Sequence, residues 1–219
     1  MNEEASIGRV VDEVRKVLGA RLLEILVVDT NSRDRTREFA TIKGARVVSE
    51  PRVGYGRAYK TGFQEAQGTY IATLDADLTY PASRLPDFLV ALESGRADFV
   101  SGDRMSHLGA EAMSGMHRIG NAILNAAFHA LFGTTIRDSQ SGMWAFRRAI
   151  LPHLRLIHDG MAFSEEIKIE AIRAGFRFLE IPVDYRVRVG DKKIRSARDA
   201  TKNLIWLARK RFDWYPGPH

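Results

Sequence analysis

The 219-residue chain contains no cysteine, which excludes disulfides and thiolate metal centres and leaves the redox compartment undetermined. It also lacks any run of about 18 apolar residues, so no membrane-spanning helix is expected. The opening "MNEEASIGRV" is acidic and polar where a secretory leader is basic and then apolar, so no leader is expected. No repeat, low-complexity stretch or linker interrupts the chain, and a single domain over residues 1–219 follows. What is in excess is positive charge. Lys and Arg number 33 against 27 Asp and Glu, a net +6, which points to an anionic partner: a phosphate, a nucleic acid or a membrane surface. Between Arg186 and Arg211 ten basic residues meet only two acids, Asp191 and Asp199, so the anion is expected near the C-terminal part.

Hydrophobic periodicity gives the architecture. Residues 5–18 carry Ile7, Val10, Val11, Val14, Val17 and Leu18 at helical spacing. "LEILVVDT" is a β-branched run ending in Asp29, the pattern of a buried parallel strand. Then come a capped helix closed by Gly44, a strand at "ARVVSE", a helix at "GRAYKTGFQEAQG", a strand at "TYIATLDAD" and a helix at "SRLPDFLVALESG". Such alternation implies an α/β fold, with a mainly parallel sheet, helices on both faces, and ligands beyond the carboxyl ends of the strands. Past the strand in "ADFVSGDRM" the pattern changes. A helix over 116–132 is apolar on most of its circumference, and "SEEIKIEAIRAG" is another helix. "RFLEIPVDYRVRVG" is a strand entering a hairpin turn at Gly190-Asp191, and a basic helix runs from about Arg195 to Phe212.

In "IATLDADLTYP" apolar residues run straight into two aspartates one residue apart. Residues i and i+2 of an extended chain share a face, so Asp75 and Asp77 address one site. Two like charges there are costly unless a cation sits between them. Hard carboxylate oxygens suit Mg²⁺ or Mn²⁺, which keeps positions open for substrate phosphates. The plainer alternative is a turn and cap leading toward Pro81.

Eight segments in order carry a resemblance over nearly the whole chain: "NEE" at 2–4, "VVDTNSRDRT" at 27–36, "GYGRAYKTGF" at 54–63, "LDADLTYP" at 74–81, "SGDRM" at 101–105, "HRIGN" at 117–121, "DSQSGMWAFRR" at 138–148 and "EIPVDYRVRVGDKKI" at 180–194. The chain resembles the family 2 glycosyltransferases of the GT-A fold, and most closely the polyprenyl-phosphate (dolichol-phosphate) mannose or glucose synthases. The resemblance implies that Asp29 contacts the base or ribose of a sugar nucleotide, with Glu3 and Gly54 in the same donor pocket. Asp75 then lies near the ribose and donor sugar, and Asp77 is the principal metal ligand. Thr79 stands where relatives often have a glutamine, so a water is expected to replace a side-chain ligand. Arg104 and Arg118 would meet the donor diphosphate and the acceptor phosphate, or lie on a solvated surface. Asp138 is the candidate base for a hydroxyl acceptor. A lipid phosphate is already anionic, and Asp138 and Gln140 would then orient the donor sugar or hold their loop. Arg186 and Arg188 alternate onto one strand face and, with Lys193 beyond the turn, would clamp phosphates. Lys192 replaces the family's usual serine. A lysine-bearing edge hairpin that discourages aggregation is the alternative. Relatives open with an apolar strand ahead of the Asn-Glu pair; here that strand, and part of the base pocket with it, is expected to be missing.

The activity implied is metal-dependent, inverting transfer of a hexose from a nucleotide-diphosphate sugar, GDP-mannose or UDP-glucose, to a polyprenyl phosphate. The enzyme would sit peripherally on the cytoplasmic face of a membrane. The 116–132 helix and residues 195–213, with Ile205, Trp206 and Phe212 beside Lys202, Arg209, Lys210 and Arg211, have the character of interfacial helices. Core packing and a solvated face would explain them as well. Two other readings stay open: a glycosyltransferase with a soluble acceptor, and a non-catalytic basic module on membranes or nucleic acid. The ordered motifs argue against this last reading, and nucleic acid is not the expected partner, while the missing strand keeps the reading open.

Overall fold

The computed structural model describes residues 1–106, 115–133, 136–189 and 196–212, with side chains for all of these but 115–121 and 196–202. The chain begins with α1 (Ile7–Leu18), whose apolar face buries Ile7, Val11 and Val14. β1 (Leu26–Asp29), α2 (Thr36–Ile42), β2 (Arg46–Ser49), α3 (Tyr55–Glu65), β3 (Tyr70–Thr73), α4 (Leu85–Glu93) and β4 (Phe99–Asp103) follow in alternation. Next come α5 (Gly115–Phe132), β5 (Trp144–Arg147), α6 (Phe163–Arg173), β6 (Phe178–Pro182) and α7 (Ser196–Arg211). Short helices start and stop on local chemistry: Asp34 accepts from the Thr36 N–H at 3.0 Å ahead of α2, and Gly44 at φ +77° ends it.

Among the described residues the strands form two groups. β1 pairs in parallel with β2, Leu26 beside Arg46 and Asp29 beside Ser49. The other sheet has the order β3-β5-β4-β6, with β5 antiparallel to both neighbours and β4 parallel to β6. The sheets are therefore mixed rather than mainly parallel. Between β4 and β5, α5 packs on α7 through Leu124, Phe128, Trp206 and Leu207, and β5 then returns beside β4 in the antiparallel sense. The first residues cross the carboxyl ends of both groups. Asn2 N–H donates to Ser32 Oγ at 2.9 Å and Glu3 N–H to Thr36 Oγ1 at 2.7 Å, while Ser6 Oγ donates to the Ala76 carbonyl at 2.7 Å.

Strict alternation along β4 and β5 splits the core. Val100, Met143 and Ala145 face α1 and α4 with Leu85, Phe88 and Leu92. Phe99, Trp144 and Phe146 face α3 and α6 with Phe63, Phe163 and Ile167.

The C-terminal part corrects two expectations. The chain after Pro182 is not strand, although Arg186 N–H still bonds the Thr79 carbonyl at 2.8 Å and Val189 N–H that of Asp77 at 3.1 Å. The hairpin turn at 190–191, and Lys192 and Lys193 with it, lie outside the described residues. In α7, Trp206 and Lys210 point inward rather than to a boundary. Trp206 is buried with Leu207, and the Lys210 ammonium lies 2.8 Å from Glu170 and 3.4 Å from Glu166 on α6. Ile123, Ile205 and Phe212 remain exposed. Among the described residues no helix is long and apolar enough to cross a membrane.

Candidate active site

Acids stand at the carboxyl ends of four strands: Asp29 closes β1, Glu50 follows β2, Asp75 and Asp77 follow β3, and Asp103 closes β4. Two of these are spent locally. Asp29 is buried and accepts from the Ser32 N–H at 3.0 Å and from the Ser32 hydroxyl, with Arg37 3.5 Å away. Asp103 holds the following turn through the N–H groups of Met105 and Ser106. Glu50, which sequence reasoning did not single out, is buried under Arg52 and Thr61 and driven down to about 2 by those hydrogen bonds.

The aspartate pair behaves differently. Asp77 is buried; one oxygen accepts from the Thr79 N–H at 3.0 Å and hydroxyl at 2.6 Å, the other from Arg188 Nη1 at 2.7 Å. Thr79 thus caps Asp77. Arg188 also donates to Glu3, so one guanidinium joins the N-terminal acid to the pair, while its Nε–H stays buried without a partner. Between the pair and Thr79, Leu78 is buried with φ at +67°, a left-handed conformation costing roughly 1–2 kcal/mol for a bulky residue. Asp75 is half-buried and pushed up to about 6, first by burial and second by the charge of Asp77, against the pull of Arg104 and Arg188. A side chain at Gly142 would begin 2.7 Å from the Tyr55 hydroxyl and 3.5 Å from the Asp75 carboxylate, so glycine lets the 138–142 loop close over Asp75.

That loop is held on every side. Asp138 is fully buried and accepts from Arg104 twice through its guanidinium, at 2.7 and 2.8 Å, and once through its N–H at 3.0 Å. The pairing keeps Asp138 below the usual carboxylate range despite burial. A carboxylate forked on both oxygens is a poor base; its geometry suits holding the loop. Arg104 is itself buried, stacked 5.1 Å over Tyr185. Gln140 accepts from Asn203 of α7 at 3.4 Å.

The remaining expected residues separate. Arg186 pairs with Glu13 on α1 at 3.1 Å, away from Arg188, so the two do not converge. Gly54 and Gly56 approach the backbone of His158 and Asp159 and not an open face. Arg118 lies on α5 with its side chain outside the described set, as is Lys193. Tyr55, Tyr59 and Lys168, which line or support the site, went unnoticed; the i, i+4 tyrosines at the start of α3 were the available signal.

The residues fit a divalent cation. Burial and mutual repulsion leave the Asp75–Asp77 pair short of positive charge, and Arg188 supplies it here. Among the described residues no cluster of three or more metal-ligating side chains exists. Mg²⁺ characteristically takes one or two carboxylates and completes its shell with substrate phosphates and water.

Comparison with known proteins places the chain in a family. The glycosyl transferase family 2 profile matches residues 1–155. A dolichyl-phosphate hexose transferase of Haloferax volcanii is 36% identical over 193 residues, 88% of this chain and 82% of that protein. The hexosyltransferase Agl6 of the same organism is 32% identical over 211 residues, 94% of this chain but 51% of its own length. Glucosyl-3-phosphoglycerate synthase from Mycobacterium tuberculosis, solved with Mn²⁺, UDP-glucose and phosphoglyceric acid, superposes with a TM-score of 0.77 at 21% identity, covering 99% of this chain and 78% of that one. The chain belongs to glycosyl transferase family 2: it is a glycosyltransferase of GT-A-like fold, close to the dolichol-phosphate sugar synthases.

Proposed function

We propose that this single-domain enzyme transfers a hexose from a nucleotide-diphosphate sugar, GDP-mannose or UDP-glucose, to a polyprenyl phosphate. It works while peripherally bound to the cytoplasmic face of a membrane. The observation that carries this reading is the Asp75–Asp77 pair after β3, half-buried and buried in turn and flanked by Arg188 and Arg104. The similarity to a dolichyl-phosphate hexose transferase supports the acceptor class.

Asp75 and Asp77 would hold Mg²⁺ or Mn²⁺, which when bound neutralises charge developing on the departing diphosphate. Arg188 and Arg104 bring guanidiniums to the same anion; the unpaired Nε–H of Arg188 is a donor without a protein partner. Glu3 orients Arg188, and Asp138 orients Arg104. An oxygen of the lipid phosphate attacks the anomeric carbon in line. The new carbon–oxygen bond forms as the bond to the diphosphate breaks, and the leaving group keeps the electron pair. The attacking oxygen is already anionic, so no proton moves and Asp138 is free to hold its loop. Asp29 and Glu50 would border the base and ribose. The exposed Ile123, Ile205 and Phe212, with Arg209 and Arg211, form the face toward lipid.

A soluble acceptor is the second reading, favoured by the burial of Trp206 and Lys210, which removes two of the expected interfacial groups. Transfer assays with Mn²⁺ decide between them: faster transfer to a polyprenyl phosphate in detergent supports the lipid reading, and faster transfer to water-soluble acceptors overturns it.

A further inference from the structure

Lys168 is fully buried on α6 between Ile167 and Ile169, where an apolar residue would carry no desolvation cost. Its ammonium donates to two consecutive main-chain carbonyls, Asp138 at 2.7 Å and Ser139 at 3.0 Å. In a strand, consecutive carbonyls point to opposite sides. Two of them on one donor mark a turn whose shape the cation maintains.

The loop's cargo gives that shape a consequence. The N–H of Asp138 donates to Glu180 at 3.0 Å, so its main chain is held through both N–H and carbonyl, and its carboxylate forks onto Arg104. Glu165 faces Gln140 beside the clamp, yet neither its oxygens nor the amide nitrogen has a hydrogen bond of proper geometry. The two bonds from Lys168 therefore carry the tie between this loop and α6.

We propose that Lys168 is a positioning residue: by clamping the carbonyls of Asp138 and Ser139 it fixes the carboxylate that holds Arg104 for the donor diphosphate. The role given to Arg104 rests on the donor reading above; the clamp does not. Burial brings the lysine down to about 8 with Arg104 adding to the shift, while Asp138, Glu180 and Glu165 oppose it.

Two variants and two readouts test the clamp. Lys168→Met keeps the bulk and removes the donor; Lys168→Ala leaves room for n-propylammonium, the missing stem and head. The readouts are calorimetric affinity for UDP-glucose and GDP-mannose with Mn²⁺, and the rate at which phenylglyoxal modifies Arg104, followed by peptide mass mapping. The second needs no ligand. Lys168→Met is expected to weaken donor binding by about tenfold or more, the effect of losing a charged hydrogen-bond donor. Arg104 should become faster to modify while near-UV circular dichroism stays that of the wild type. In Lys168→Ala, n-propylammonium should restore Arg104 protection and 1-propanol should not. Unchanged protection of Arg104 in Lys168→Met overturns the proposal, as does equal rescue by 1-propanol, which would make the role one of filling space. A wild-type protein that binds no nucleotide sugar contradicts the donor reading instead, and Arg104 protection still decides the clamp.

Discussion

The two groups of strands differ in how they are covered. In β4 every residue is buried, and in β5 Trp144, Ala145 and Phe146 are fully so. In β1 the apolar Leu26, Val27 and Val28 are only half-buried, as are Arg46, Val47 and Val48 of β2. Parallel strands normally lie under helices on both faces, so β1–β2 is the less shielded half. Two of the acids at strand ends are held differently. Asp29, on the small half, is satisfied by residues three and eight positions away. Asp77, on the large half, is held by Thr79 two positions away and also by Arg188, 111 positions away. The acid proposed to hold the metal is tied across the fold, and the acid proposed to meet the base is tied within its own loop and helix.

The largest effect expected on folding comes from the large half. Replacing Arg104 with Ala leaves Asp138 buried and unpaired, a loss of about 3–5 kcal/mol that denaturant titration would read. A fall of under 1 kcal/mol would mean that the pair is solvated. A matched pair of truncations compares the halves directly. Val100→Ala should cost about 2 kcal/mol and Val28→Ala about half that, from the apolar area each keeps from water. Equal losses would erase the distinction. The smallest effect is a slope. Because Lys168 is lowered to about 8 from its ordinary 10.5, the unfolded chain binds more protons between those values. Stability of the wild type relative to Lys168→Met should therefore rise with pH from about 8 to 10.5, by no more than about 1.4 kcal/mol per pH unit. A flat or falling difference would contradict a buried, partly discharged ammonium.

Much of this was legible in the sequence because it depends on short-range periodicity. The α1 stripe from Ile7 to Val14, the run into Asp29 and the placement of Asp75 and Asp77 after a strand all follow from spacing alone. What was hidden depends on distant partners. Nothing local shows that β5 enters antiparallel, that Arg186 turns to Glu13 while Arg188 turns to Asp77, or that Lys210 is drawn inward by Glu166 and Glu170. In "EEIKIEAI" a lysine between isoleucines has no periodic signature, and only the carbonyls of Asp138 and Ser139 explain it.

In the proposed mechanism Asp75 and Asp77 hold a metal that grips the diphosphate of an activated sugar. Calorimetric titration of UDP-glucose and GDP-mannose, with and without Mn²⁺, into wild type and Asp77→Ala tests it most directly. Mn²⁺ should tighten binding of one donor to the wild type, and Asp77→Ala should weaken the Mn²⁺-supported binding by at least about tenfold. Equal affinities in the two proteins, or binding indifferent to Mn²⁺ in the wild type, would contradict it.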